Sequence, residues 1–291
     1  MSDTVPSLSK DDLIKPVQSL LQSVSAEPID WQIKALTGGA GNAVSMGVYL
    51  VSGTANHNGQ MLDWKLVLKM ICLPDDEGWK ATASYPHQFN YWRREAYLLE
   101  TGLLEQIPVS LIIPKSYGIV PKADNIVWLW LEYFDSQDDG FWDLERYAHI
   151  ANLSGQLAGY FLQQEKLPDY EWLNRDFFRQ WSPSLSSSVA YWHDLEQRAA
   201  FWNNPYIQEL LGDIENNALY QFLQLENEIL EKLDEMPKTI CHGDFYRSNL
   251  MAHKIDEATE EIISIDWAYI GIGSIGEDLG SFSKSRKCFK S

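Results

Sequence analysis

The sequence predicts an α+β chain of two lobes, a front lobe built on an antiparallel sheet and a back lobe that is mainly helical. Three observations predict it. Up to residue 132, short alternating runs rich in Val, Ile, Leu and Trp are separated by Gly, Asn and Asp turns, the pattern of a meander. After Phe134 the apolar spacing changes from two to three or four, the helical period. With 291 residues, 45% of them apolar and 22% charged, the chain is long enough for two modest lobes with a real core.

Taken in order, Lys10 to Ser25 has Leu13, Ile14, Val17, Leu20, Leu21 and Val24 at helical spacing, with Ser9 or Asp11 placed to cap it. Trp31–Leu36 and Val44–Val51 read as two strands around the glycine-rich turn 37–42. Gly53 to Gly59 reads as a second turn, and Trp64–Ile71 as a third strand. A helix follows over Asn90–Thr101, stopped by Gly102. Ser116–Val120 and Ile126–Leu131 complete a small sheet with one helix. In the back lobe, Phe141–Gln164 and Asn217–Met236 read as helices, and Pro168 to Asn204 as irregular chain or short helices. Three short strands close the pattern, at Thr239–Cys241, Asn249–Met251 and Glu261–Ile265. The domain division this gives is 1–27 as a helical extension, 28–133 as a β-rich front lobe and 134–291 as a mainly helical back lobe.

Composition removes several function classes. A net charge of −18 argues against nucleic acid and against anionic membranes as partners, since both are bound by clustered Lys and Arg. It favours solubility and, through long-range steering, a cationic acceptor. The three cysteines, Cys72, Cys241 and Cys288, are widely spaced and form no Cys-x-x-Cys pair, so reduced thiols in a cytoplasm are expected. The start of the chain has no basic stretch leading into an apolar run, so no signal peptide is expected, and the run Ile126–Leu131 is too short to span a bilayer. Twelve Trp and 14 Tyr would suit a wall for sugars or amines, although core packing accounts for most such residues. No Gly-x-Ser-x-Gly elbow is present, the His residues are too scattered for a zinc site, and Gly271, Gly273 and Gly276 do not open a dinucleotide-binding unit.

The chemistry sits in Cys241-His242-Gly243-Asp244-Phe245-Tyr246-Arg247-Ser248-Asn249, followed after a strand by Ile265-Asp266-Trp267. One carboxylate here can take a hydroxyl proton, while an amide oxygen and a second carboxylate supply the hard ligands that Mg²⁺ prefers. His-Gly-Asp-x-x-x-x-Asn with Ile-Asp-Trp resembles the signature of the aminoglycoside phosphotransferase and choline kinase-like family. That resemblance implies a protein-kinase-like fold. It implies Asp244 as catalytic base, Asn249 and Asp266 as Mg²⁺ ligands, and His242 and Asp278 as structural supports. A protein kinase would have Arg where Gly243 stands, which favours a small-molecule acceptor. In the front lobe, the resemblance implies Gly39, Gly41 and Asn42 over the phosphates, Lys69 on the α and β phosphates with Glu95 orienting it, and Glu132-Tyr133 as the hinge that binds the adenine. These parts come in one order along the chain.

The resemblance implies an ATP- or GTP-dependent, Mg²⁺-requiring transfer to a hydroxyl of an aminoglycoside, choline or a similar acceptor. Family members continue for several helices past the Asp-Leu element at Asp278-Leu279. Here the chain soon ends in the basic stretch Ser283–Ser291, so terminal helices are expected to be missing. The alternative expectation is a nucleotide-binding pseudoenzyme or a truncated, inactive phosphotransferase. Oligomeric state is not legible from the sequence.

Overall fold

The computed structural model describes residues 5–36, 43–105, 107–123, 125–135, 142–181, 199–200, 203–206, 225–254 and 260–283. The glycine turn 37–42, residues 217–224 of the expected second back-lobe helix, Cys288 and the basic tail lie outside these residues.

Helix α1 (Lys10–Leu20) is opened by Ser9, whose backbone N–H donates to the Asp12 carboxylate at 2.9 Å. It stops short of the expected Ser25. Its apolar stripe, Leu13 and Val17, is fully buried with Trp130, Leu66 and Leu68 of the sheet, so this extension shares the sheet's core. Each such side chain contributes about 1.5–3 kcal/mol by leaving water.

The sheet runs β1-β2-β3-β6-β5, every neighbour antiparallel: β1 (Glu27–Ala35), β2 (Ser45–His57), β3 (Gln60–Cys72), β5 (Ser116–Ala123) and β6 (Ile126–Glu132). Strand β2 continues through the segment expected to turn at Gly53, and the chain reverses only at Asn58-Gly59. Gly53 serves close packing instead. A Cβ there would lie 2.0 Å from the carbonyl oxygen of Asp30, beside the irregularity in β1 between Pro28 and Asp30.

Two helices sit between β3 and β5 where the sequence reading placed one. Helix α2 (Glu77–Ala83) is short, and Asp76 caps it by accepting from the Trp79 N–H at 3.0 Å. Helix α3 (Arg94–Thr101) begins four residues later than expected, because Asn90–Arg93 form turns. Strand β4 (Leu111–Ile112), too short to give a pattern, pairs in parallel with β9 (Glu260–Ser264), which also pairs with β8 (Leu250–Lys254).

The later part of the chain contributes α4 (Leu144–Leu162), α5 (Glu226–Glu235), β7 (Lys238–Cys241), β10 (Gly271–Ser274) and α6 (Glu277–Ser283). The face Ile150, Leu153, Leu157 and Phe161 of α4 packs with Ile240, Phe245 and Trp267 in the largest core. Part of the aromatic surplus goes into packing, with Trp64, Trp130, Trp142, Trp172 and Trp267 all buried. Among the described residues, no helix is long and apolar enough to cross a membrane.

Candidate active site

Lys69 lies in β3 opposite Val48 of β2 and Leu129 of β6, and is 8% exposed. Its ammonium reaches Glu95 in the first turn of α3 at 2.5 Å and Asp266 after β9 at 2.7 Å. One cation thus ties the sheet, the helix and the C-terminal loop together. Burial pulls Lys69 down, but the Asp266 and Glu95 carboxylates outweigh it and hold the ammonium above its ordinary value. Asp266 is held low by Lys69, whereas burial pushes Glu95 up against that same attraction.

The loop after β7 is braced from beneath. Asp278, at the start of α6, accepts from the backbone N–H of His242 at 2.8 Å and of Gly243 at 3.1 Å. His242, fully buried, donates from Nε2 to the Ile265 carbonyl at 3.0 Å and accepts the Asp244 N–H at Nδ1, 3.2 Å. These bonds fix a neutral ring, which lies tilted against Trp267 with centroids 4.3 Å apart. Gly243 has φ of +80°, and a Cβ on it would stand 2.5 Å from the Tyr269 carbonyl oxygen. A protein-kinase arginine has no room here, which is the physical reason for Gly.

Asp244 and Asn249 are locked together: Nδ2 of Asn249 donates to both the carbonyl and the Oδ2 of Asp244, each at 2.8 Å. The amide nitrogen being committed, its oxygen is the atom left for a ligand. Burial raises the Asp244 carboxyl above its usual value. The Ile265 N–H donates to the Asn249 carbonyl at 2.9 Å, so Asn249 and the Asp266 turn move as one. Asp266 itself holds a left-handed φ of +61°, costly for a side chain with a Cβ and found where a structure over-determines it.

A cavity of about 570 Å³ runs along this group. Val48, Val67, Leu131 and Met251 give it apolar lining, and Glu132, Tyr133, Lys69, Glu95, Asn249 and Asp266 line it as well. Asp244 is not on its wall and meets it through Asn249. The expected site residues Lys69, Glu95, Glu132, Tyr133, Asn249 and Asp266 therefore line one cavity, while Asp244 is bonded to Asn249, His242 to Asp244, and Asp278 to the His242 backbone. Gly39, Gly41 and Asn42 lie outside the described residues. Among the described residues, no group of three or more His, Cys, Asp or Glu is placed to hold a metal ion. Sequence reasoning missed Arg94, fully buried beside Glu95. Its only signal was a cation next to Glu95 at a helix start.

Two buried supports give opposed pH responses. Burial pulls His242 down to about 4, below its ordinary 6.5, so its contribution to stability is complete above 6.5 and is lost as pH falls through about 4. Burial pushes Asp278 up to about 6 from 3.8, so its contribution is complete below 3.8 and is lost as pH rises through about 6. Each is worth on the order of 3 kcal/mol. Over pH 4–6 they offset one another. Asp278→Asn should therefore make the protein lose stability steeply on acidification over that range, and His242→Gln should make it gain. Urea midpoints measured at half-unit pH steps check both slopes; equal slopes in the two variants would contradict the arrangement.

Residues 153–288 match the family model described as "Phosphotransferase enzyme family". No curated protein sequence matches the chain. Among solved structures, a spectinomycin phosphotransferase in complex with ADP and spectinomycin is 12% identical, with a TM-score of 0.50 over 98% of this chain and 82% of that one. A microcompartment-associated aminopropanol kinase is 16% identical, with a TM-score of 0.46 over 87% of this chain and 68% of that one. An ethanolamine kinase from Plasmodium vivax is 14% identical, with a TM-score of 0.42 over 88% of this chain and 60% of that one. At this identity the likeness to the spectinomycin phosphotransferase is one of fold. The family match contains His242-Gly243-Asp244, Asn249 and Asp266, the residues bonded together around the cavity. Residues 153–288 of this chain are thus similar to the phosphotransferase enzyme family, and the chain's α+β fold is protein-kinase-like.

Proposed function

We propose that the chain is a small-molecule kinase that moves the γ-phosphate of ATP or GTP to a hydroxyl. The observation that carries this is Lys69, brought from the sheet to Glu95 and Asp266 on a cavity that Asn249 also lines. In this reading 28–133 supplies the nucleotide lobe, 134–291 the chemistry, and 1–27 a helix packed on the sheet. Glu132 and Tyr133 would meet the base, and Gly39, Gly41 and Asn42 the phosphates.

The donor set fits Mg²⁺. That ion takes one or two protein oxygens and fills its octahedron with phosphate and water, and an Asn oxygen with an Asp carboxylate is such a pair. When bound, it would supply neutralisation of charge on the phosphate oxygens. The chain's own residues do the rest. Lys69, held by Glu95, positions the phosphates. Asp244, held by Asn249, orients the acceptor hydroxyl and takes its proton. The acceptor is a small hydroxylated molecule, and the net charge of −18 favours a cationic one such as an amino-alcohol or aminoglycoside. The setting is cytoplasmic.

The test is turnover. Purified protein with MgATP or MgGTP and a panel of amino-alcohols, aminoglycosides, sugars and macrolides is expected to release ADP or GDP with one acceptor class. Nucleotide binding without turnover on any acceptor would instead favour the pseudoenzyme reading.

A further inference from the structure

Arg94 is the first residue of α3, and its side chain has no exposed surface. All five guanidinium N–H groups donate to backbone carbonyls. Nε donates to Trp172 at 2.7 Å. Nη1 donates to Phe89 at 2.6 Å and to Ala268 at 3.2 Å. Nη2 donates to Pro86 at 3.0 Å and to Gln88. The Tyr91 ring lies under the cation, 5.9 Å from its centre. An arginine buried without a paired carboxylate is costly, and such groups are retained where each donor is satisfied. Burial pulls it down only to about 9, so at neutral pH it stays charged and all five donors remain.

The partners are not random. Pro86, Gln88 and Phe89 form the turn that leads into α3, Trp172 belongs to the chain after α4, and Ala268 lies two residues past Asp266. Glu95, which holds Lys69, is the very next residue on α3. A single side chain thus fastens the helix that carries Glu95 to the loop that carries Asp266. Core packing alone would be served by Leu or Met at this position, without the cost of desolvating a cation.

We propose that Arg94 is a positioning residue, a carbonyl-bound pin that holds α3 and the Asp266 loop together so that Lys69 meets Glu95 and Asp266 at once. Its effect on turnover rests on the kinase reading above; its effect on Lys69 does not. The function would be to keep the phosphate-binding end of the cavity assembled before nucleotide arrives.

The test reads Lys69 directly. The native protein is treated with a small acylating reagent and Lys69 modification is followed by peptide mass spectrometry, with exposed Lys232 as internal reference. Arg94→Met is expected to speed Lys69 modification at least about tenfold relative to Lys232, the change that corresponds to one lost hydrogen bond to a charged group. Arg94→Lys, which keeps the charge with three donors, should fall between. Leu13→Ala, a core change in α1 outside the cluster that holds Trp172 and Trp267, should lower stability without altering the ratio at equal distance below its melting point. An unchanged ratio in folded Arg94→Met, or an equal rise in Leu13→Ala, overturns the proposal. Should neither arginine variant fold, amide exchange on the wild type decides: residues 94–98 and 267–269 are expected to open together, and separate opening overturns it. If wild type transfers phosphate, Arg94→Lys should also lose at least about tenfold in kcat/KM. If wild type transfers none, the kinase reading fails while the Lys69 result still stands or falls alone.

Discussion

Asp244→Ala is expected to abolish phosphoryl transfer while leaving nucleotide affinity close to that of the wild type. The loss should be about 10²–10⁴-fold, the range for removing a positioned proton acceptor. The reason binding survives is in the hydrogen bonds. Asn249 is held to Asp244 twice, and one of the two bonds goes to the backbone carbonyl, which alanine keeps. Its attachment through the Ile265 N–H is also main-chain, so the Asn249–Asp266 pair keeps its spacing. Lys69 and Glu95 are untouched. Asp244→Asn, of the same size, should behave alike, which separates loss of the carboxylate from loss of volume. Coupled ADP release measures the first effect and thermal shift with MgATP the second. Full activity in either variant removes Asp244 as the base. Matched loss of binding would mean that the carboxylate acts on nucleotide instead.

How far this was legible in the sequence follows from what each residue type must satisfy. The loop from His242 to Asn249 was readable because its members need one another at fixed spacing: Gly243 has no room for a Cβ, and Asn249 bonds back across five residues. Lys69 and Glu95 were readable through order along the chain and through the resemblance, since neither has a local pattern of its own. Boundaries were less legible. Strand β2 runs through Gly53 because the glycine answers a close approach from Asp30, and a lone glycine looks the same in a turn and in a crowded strand. Helix α2 is a single capped piece of 7 residues, too short for periodicity to show. The role of Arg94 was not legible for a deeper reason. A buried arginine is distinguished from an exposed one only by where distant carbonyls converge, and those come from residues 86–89, 172 and 268.

The second large effect is expected at Lys69. Lys69→Met should remove activity and also destabilise the fold by about 3–5 kcal/mol, because it strips the cation from a buried pair. The side chains of Lys69 and Glu95 are only 11% and 7% exposed, so solvent cannot take over the pairing. Without the cation, Glu95 and Asp266 would also face each other as like charges, an effect that already raises Glu95. Glu95 should respond by keeping its proton to higher pH, which sets the sign of the pH dependence. A folded value raised further above 4.5 means the defect is smallest below 4.5 and grows as pH climbs through the folded value. The variant should therefore look healthiest in mild acid, and the gap to wild type should widen toward neutrality. Lys69→Met with Glu95→Gln removes both charges, and should recover most of the lost stability at pH 7 without any activity. Urea denaturation of the two variants from pH 4.5 to 8 gives the answer. A pH-independent loss, or a double variant no more stable than the single one, would mean that Lys69 is held by packing and that the buried charges are not what joins sheet to loop.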